Sequence, residues 1–236
     1  MKTIKGIWRF SRVICYTFVC LFQAYTRFKH VDRKEKGRML RYYPTQVLKL
    51  AGVRCSYEGH VPELLHECGL TDTPPACLVL SNHVSWLDIF SLDSQLPSRF
   101  IAKAEIAKWP IFGLIAQQIG TLFINRSSKR AILRINDDIR GALCNCEAVT
   151  IFAEGTTTFG NELLPIKANF IAPVCEIGAT VQPVILSYKN KGKPTKQAAF
   201  SGDVTLFGSL WNVVTMEDAE VVVHFLEPIT NTKDLT

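Results

Sequence analysis

Between residues 76 and 226, short apolar runs alternate with stretches of helical spacing, and several of the runs end in a polar cluster. Ala76–Leu80, Phe100–Ala102, Thr121–Ile124, Val149–Phe152, Val181–Ser187 and Glu220–Leu226 read as strands, being short and apolar. Trp86–Leu96, Lys129–Cys144 and Ala168–Ile177 have helical periodicity, and residues 104–119 read as helical turns broken around Pro110 and Gly113. A Gly/Pro-rich stretch at Gly69–Pro75 marks a loop ahead of the first of these strands. Strands alternating with helices predict an α/β fold with a mixed, largely parallel sheet flanked by helices. Ligands bind such sheets outside the carboxyl ends of the strands, so the polar clusters there are the first candidates for a site.

Charge divides the chain differently. The 236 residues hold 27 Lys and Arg against 21 Asp and Glu, a net charge of +6 at pH 7. Residues 1–54 hold 13 of the basic residues and only 2 acidic ones, a net of +11; the remainder has 14 and 19, a net of −5. A basic segment joined to an acidic domain points to a polyanion at that end. No recognisable nucleic-acid module accompanies the charge, so an anionic membrane is the expected partner and nucleic acid is not.

Within that segment, residues 13–25 read VICYTFVCLFQAY, an apolar run well short of the ~20 residues that span a bilayer. Gln23, Tyr25, Arg27 and Lys29 stand where a signal peptide would show small residues, so cleavage is not expected. From Val31 to Leu50 a second stretch carries Arg33, Lys34, Lys36, Arg38, Arg41 and Lys49, with Met39, Tyr42, Tyr43, Val47, Leu48 and Leu50 mostly at three- and four-residue spacing. The two stretches predict a helical hairpin over residues 1–52, apolar in one arm and basic in the other, entering one leaflet. The alternative is two helices packed on the domain with solvated charges. The hairpin precedes an α/β domain over residues 53–236, and the expected location is the cytoplasmic face of a membrane, monotopic or peripheral.

The eight cysteines, at 15, 20, 55, 68, 77, 144, 146 and 175, form no CxxC pair. Reduced thiols are expected, with no metal site.

Four clusters hold the candidate chemistry. In Asn82-His83-Val84-Ser85-Trp86-Leu87-Asp88, a histidine at a strand end precedes by five residues an aspartate in the first turns of a helix. A chain reversal there can bring the carboxylate to the imidazole, fix its tautomer and leave Nε2 to take a proton. Ser85-x-x-Asp88 is equally an acceptable capping box, and spacing alone leaves both readings open. The second cluster is Lys103-Ala104-Glu105, then Pro110, Gly113, Gly120 and Phe123-Ile124-Asn125-Arg126; the third is Phe152-Ala153-Glu154-Gly155-Thr156-Thr157-Thr158; the fourth is Leu164-Pro165-Ile166-Lys167, followed by Gln182-Pro183-Val184. The glycine of the third lets backbone approach a ligand, and its hydroxyls can donate to phosphate or glycerol oxygens.

In order and spacing these blocks resemble the glycerolipid acyltransferases of the 1-acylglycerol-3-phosphate acyltransferase type. Asn82, His83 and Asp88 match the family's NHxxxxD. Lys103, Glu105, Pro110, Gly113, Gly120, Phe123, Ile124 and Arg126 match the second block, and Phe152, Glu154, Gly155 and Thr156 the third. Pro183-Val184 stands at the fourth, so the match spans residues 82–184. The resemblance implies an α/β acyltransferase fold with an N-terminal two-helix membrane motif. It also implies transfer of a fatty acyl group from acyl-CoA or acyl carrier protein, as co-substrate, to a lysolipid hydroxyl, with no cofactor.

By that resemblance His83 is the base and Asp88 its orienting partner. Lys103, Arg126, Glu154, Gly155, Thr156 and Thr157 fall to substrate binding, and Lys167 adds charge near the headgroup. Two departures stand out: Ala153 replaces a proline, and Thr157 replaces the arginine expected to grip an acceptor phosphate. Arg126 and Lys167 remain, and two cations can still hold a phosphate monoester, so the first acceptor is 1-acyl-sn-glycerol 3-phosphate, giving phosphatidic acid. Lyso-ornithine lipid or lysophosphatidylcholine is the alternative, and a membrane-binding scaffold without turnover is the alternative of another class.

The acyl-transfer reading is chemically consistent. A thioester is already activated and an alcohol needs a base, so no covalent intermediate is required; accordingly no GxSxG elbow is present.

Overall fold

A computed structural model describes residues 2–60, 77–125, 128–166 and 170–235. Eight strands among them form one sheet: β1 (Val53–Gly59), β2 (Cys77–Ser81), β3 (Arg99–Lys103), β4 (Leu122–Ile124), β5 (Val149–Phe152), β6 (Thr180–Asn190), β7 (Lys193–Pro194) and β8 (Ala219–Phe225). Their order is β1-β8-β6-β2-β5-β3-β4, with β7 paired to β6 as a short hairpin. The strands β6, β2, β5, β3 and β4 run parallel, while β8 is antiparallel to β6 and β1 is parallel to β8. The sheet is mixed and largely parallel, as the alternation predicts.

Helices cover both faces: α1 (Lys2–Thr26), α2 (Arg33–Ala51), α3 (Leu87–Asp93), α4 (Phe112–Gln118), α5 (Lys129–Cys144), α6 (Ala172–Ile177) and α7 (Leu206–Val214). Side-chain alternation sorts the strand residues between them. In β2, Val79 faces a core built with Leu48 and Ala51 of α2, Leu87 and Leu92 of α3, and Val213 of α7. Its neighbour Leu78 faces the other core, with Ile135 and Ile139 of α5 and Val174 of α6. Such fully buried aliphatic side chains each contribute roughly 1.5–3 kcal/mol.

Three differences from the sequence expectation have identifiable causes. β6 runs to Asn190, past the expected end at Ser187, because its outer half pairs with β8. The expected helix over Ala168–Ile177 is shorter, starting at Ala172 with Pro173 in its first turn; residues 168 and 169 lie outside those described. β1 and α7 carry no strong local signal. VRCSYEG has a half-buried, mostly polar face, and LFGSLWNVV holds a glycine and two adjacent valines.

At the N-terminus, α1 is a 25-residue helix, much longer than its apolar run. Its inner face, including Arg9, Val13, Thr17 and Ala24, is buried. Arg9 Nη1 donates to the carbonyls of Val214 (3.1 Å) and Met216 (2.9 Å), a cation at the C-terminal end of α7. The outer face exposes Ile4, Ile7, Trp8, Phe18, Val19, Phe22 and Tyr25. At 1.5 Å per residue this apolar stripe is about 32 Å long. Among the described residues no helix is long and apolar enough to cross a membrane. α2 packs beside α1 and ends at Gly52, which has left-handed backbone; β1 begins at the next residue.

Candidate active site

Because β2, β5, β3 and β4 are parallel, their carboxyl ends share one edge of the sheet. The chain leaves β2 at Ser81 and reverses through Asn82–Trp86 into α3. This reversal closes the distance that the sequence leaves open: His83 Nδ1 lies 2.7 Å from Asp88 Oδ2. The same carboxylate oxygen accepts the main-chain N–H of Val84 (2.7 Å) and Ser85 (2.9 Å). Asp88 thus ties the main chain of the loop entering α3 as well as the histidine, without the full capping box that the spacing allows: the N-cap of α3 is Trp86, which makes no side-chain capping bond.

A carboxylate only accepts, so Nδ1 carries the proton and Nε2 is left as the acceptor. The imidazole stacks on Phe152, the last residue of β5, at 3.8 Å between centroids and 7° between planes. Asp88 is fully buried, while the His83 side chain keeps 20 % of its exposure, enough to meet a substrate. This geometry can serve a fixed-tautomer general base.

The third cluster sits beside it. Glu154 is buried; Oε1 accepts the His83 N–H (3.3 Å) and Oε2 the Leu164 N–H (3.4 Å). Its carboxylate thus braces both the histidine loop and the chain returning from the cluster. Gly155 turns the chain with φ 74°, a left-handed conformation that a side chain would strain, and Thr156 is exposed. Thr158 N–H donates to the His83 carbonyl (2.8 Å). The Thr157 hydroxyl donates to the Phe200 carbonyl, and Ser201 Oγ donates to the Thr157 carbonyl (3.2 Å). Thr157 therefore fastens the 195–203 segment to the third cluster. That segment also bonds to the first through Phe200 N–H and the Val84 carbonyl (2.8 Å), and it places the exposed Lys196 over the Phe159 ring.

Lys103 is exposed at the carboxyl end of β3, on the same sheet edge, while Arg126 and Lys167 lie outside the described residues. Gly113 begins the close pass of α4 over the preceding helical turn, where a β-carbon would stand 2.5 Å from the Ile106 carbonyl oxygen. An apolar groove, open to solvent, runs beside the histidine loop between α1, α2, α3, α4 and α7. Val13, Val47, Trp86, Phe90, Phe112 and Leu210 are among its walls. Among the described residues no cluster of His, Cys, Asp and Glu could hold a metal ion.

Sequence reasoning matched Asn82 to the family motif without giving it a role, and it passed over Tyr188. Asn82 Oδ1 accepts the Leu186 N–H (2.7 Å) and its Nδ2 donates to the Leu186 carbonyl (3.0 Å), tying the loop to β6. Tyr188, two residues on, donates its hydroxyl to Asp88 Oδ1 at 2.5 Å. The only available signal was the alternation Val184, Leu186, Tyr188, which puts these three on one buried face.

The acyltransferase family model matches residues 62–187, more than half of the chain. The chain belongs to the acyltransferase family. A 1-acyl-sn-glycerol-3-phosphate acyltransferase of Neisseria gonorrhoeae is 42 % identical to this acyltransferase over 154 residues, covering 65 % of this chain and 60 % of that protein. A lyso-ornithine lipid O-acyltransferase of Rhizobium meliloti is 32 % identical over 212 residues, covering 84 % and 69 %. The chain thus spans three-fifths of the Neisseria relative's length. Among solved structures, the 1-acyl-sn-glycerophosphate acyltransferase PlsC from Thermotoga maritima superposes with a TM-score of 0.65 at 17 % identity, over 99 % of this chain and 88 % of that one. That likeness establishes an acyltransferase fold.

Proposed function

We propose that this acyltransferase moves a fatty acyl group from a thioester donor, acyl-CoA or acyl carrier protein, to the free hydroxyl of a lysolipid. The observation that carries the reading is the His83–Asp88 pair, with Nδ1 held at 2.7 Å and Nε2 left free of that bond. In this reading His83 Nε2 takes the acceptor's hydroxyl proton as its oxygen attacks the thioester carbonyl. Collapse of the tetrahedral adduct expels the donor's thiolate, and the imidazolium returns the proton to it. Asp88 keeps the ring oriented and stabilises its transient charge. The apolar groove beside Trp86 takes a fatty chain.

The first acceptor is 1-acyl-sn-glycerol 3-phosphate, whose phosphate Arg126, Lys103 and Lys167 would hold, with Gly155 and Thr156 lining the headgroup. Lyso-ornithine lipid is the second reading, favoured by one observation: the Thr157 hydroxyl is turned to the Phe200 carbonyl, and no arginine stands there. Residues 1–52 would bind the cytoplasmic face of a membrane as a peripheral or monotopic hairpin, presenting the acyltransferase domain, residues 53–236, to lipid. The exposed stripe of α1 and the surplus of basic residues support this.

The test is an acceptor panel with purified protein, labelled oleoyl-CoA and vesicles containing each lysolipid. Acceptor-dependent product supports the proposal. CoA release without any lysolipid would make the protein a thioesterase, and vesicle binding without turnover a scaffold.

A further inference from the structure

Asp88 presents two oxygens, and the mechanism proposed above uses one of them. Oδ2 takes His83 Nδ1–H and two main-chain N–H groups. Oδ1 faces the opposite way, toward β6, where the Tyr188 hydroxyl meets it at 2.5 Å. Both partners are buried, Asp88 completely and Tyr188 to 5 % exposure.

The register of the sheet makes the contact possible. Ser81, the end of β2, is level with Val184 of β6, and β6 continues six residues further, to Asn190. It thereby forms a wall along the histidine loop. Asn82 is pinned to Leu186 of that wall by two hydrogen bonds, and the next residue on the same face is Tyr188. Tyr188 is held in turn by the pairing of β6 with β8, where it lies opposite Val221, and by Thr195 N–H on its carbonyl (3.0 Å). A phenol so fixed meets Asp88 Oδ1 and the Ser85 hydroxyl and is buried away from solvent.

We infer that Tyr188 is a positioning residue of the acyltransferase site, setting through Asp88 both the orientation and the basicity of His83. A hydrogen bond to Oδ1 withdraws charge from the carboxylate and weakens its hold on the imidazolium. Without it, the carboxylate would attract the His83 cation more strongly, and the base would give up its proton less readily to the leaving thiolate. The surrounding groups leave this as the main effect. Tyr188 faces Asp88, the Ser85 hydroxyl and the Cys55 thiol of β1; His83 faces Asp88 and, at its main-chain N–H, Glu154. Burial and the neighbouring Asp88 charge hold the phenol well above its ordinary value, so it stays a donor throughout the working pH range.

The role rests on His83 being the base, and the decisive measurement needs no substrate. The imidazole of His83 is titrated by NMR in the 236-residue chain in detergent, with its resonances assigned by their absence in His83→Ala. Tyr188→Phe should raise the His83 midpoint by about half a pH unit or more. Site-specific replacement of Tyr188 by 3-fluorotyrosine, a stronger donor of the same shape, should lower it, and this arm decides if Tyr188→Phe does not fold. A merely structural tyrosine would alter thermal stability and leave the midpoint in place. An unmoved midpoint, or one displaced in the opposite sense, in either folded variant overturns the inference. In the acceptor assay Tyr188→Phe should lose roughly ten-fold in kcat with little change in KM, less than removal of the base itself. Absence of turnover in the wild-type protein would overturn the proposed activity and leave the titration result standing.

Discussion

Asn82 and Leu186, 104 residues apart, are joined by a reciprocal pair of hydrogen bonds between one side-chain amide and one main-chain unit. The pair joins the loop that bears the candidate base to a strand that does not end where its neighbour does. Asn82→Ala would leave a partly buried N–H and C=O without these partners, at a cost of about 1–3 kcal/mol. Thermal unfolding should show that loss. Turnover should fall beyond what the stability change explains, because the loop also sets His83. Full activity in the folded variant would separate the clamp from the site.

His83→Ala should lower turnover about 100-fold or more, the scale for removal of a general base. Asp88→Asn should also lower it strongly, through the wrong imidazole tautomer, with the fold retained by circular dichroism. Near-normal activity in His83→Ala would remove the histidine from the mechanism.

Asp93 supplies a pH test away from the site. Its carboxyl is fully buried at the end of α3, and Oδ1 accepts the Ser98 N–H at 3.0 Å. Burial holds its pKa well above the ordinary carboxylate range, against the smaller opposing effect of the Ser98 bond. The native state therefore binds this proton more tightly than the unfolded chain. Stability should fall as pH rises from about 3.9, the unfolded value, through the raised native one. Asp93→Asn keeps an acceptor for Ser98 and removes the charge. It should flatten that dependence and raise the neutral-pH melting temperature by roughly 2–4 °C per kcal/mol recovered. Parallel stability–pH curves for the two proteins would contradict this.

Membrane binding can be tested without disturbing the fold. Trp8 and Phe22 are exposed on the outer stripe of α1, so Trp8→Glu with Phe22→Glu should weaken sedimentation with anionic vesicles while leaving the melting temperature unchanged. Charge reversal is best confined to Lys34, since Arg33 donates to the Cys146 carbonyl, Arg41 to that of Gln95, Lys36 lies over the Phe28 ring and Arg38 pairs with Glu35. Its effect should be largest at low salt. Unaltered vesicle binding in both variants would count against the hairpin.

The acceptor divides two substitutions. If the acceptor bears a phosphate, Arg126→Ala should raise its apparent KM at least ten-fold, and Thr157→Arg should be tolerated once the 195–203 segment is seen to stay folded. If the acceptor is lyso-ornithine lipid, Thr157→Arg should repel its ammonium and abolish activity. Measuring both variants on both lipids separates the readings.

Much of this protein is written locally. The alternation of apolar runs and helical stretches determines the α/β class, and the polar residues after Ser81 and Phe152 mark the candidate catalytic edge, because strand and helix periodicity and strand-end chemistry are properties of neighbouring residues. The uneven charge likewise identifies residues 1–54 before any fold is known. Other features depend on distant partners. The outer apolar stripe of α1 is distinguished from its inner face only by packing, which buries Val13 and Ala24 and brings Arg9 to the end of α7. Thr157 is assigned to the 195–203 segment only by the Phe200 carbonyl. Tyr188 meets Asp88 only because β6 pairs with β2 in a register that carries it past Ser81. That register is set by burial and pairing summed across strands about 100 residues apart, which no local propensity encodes.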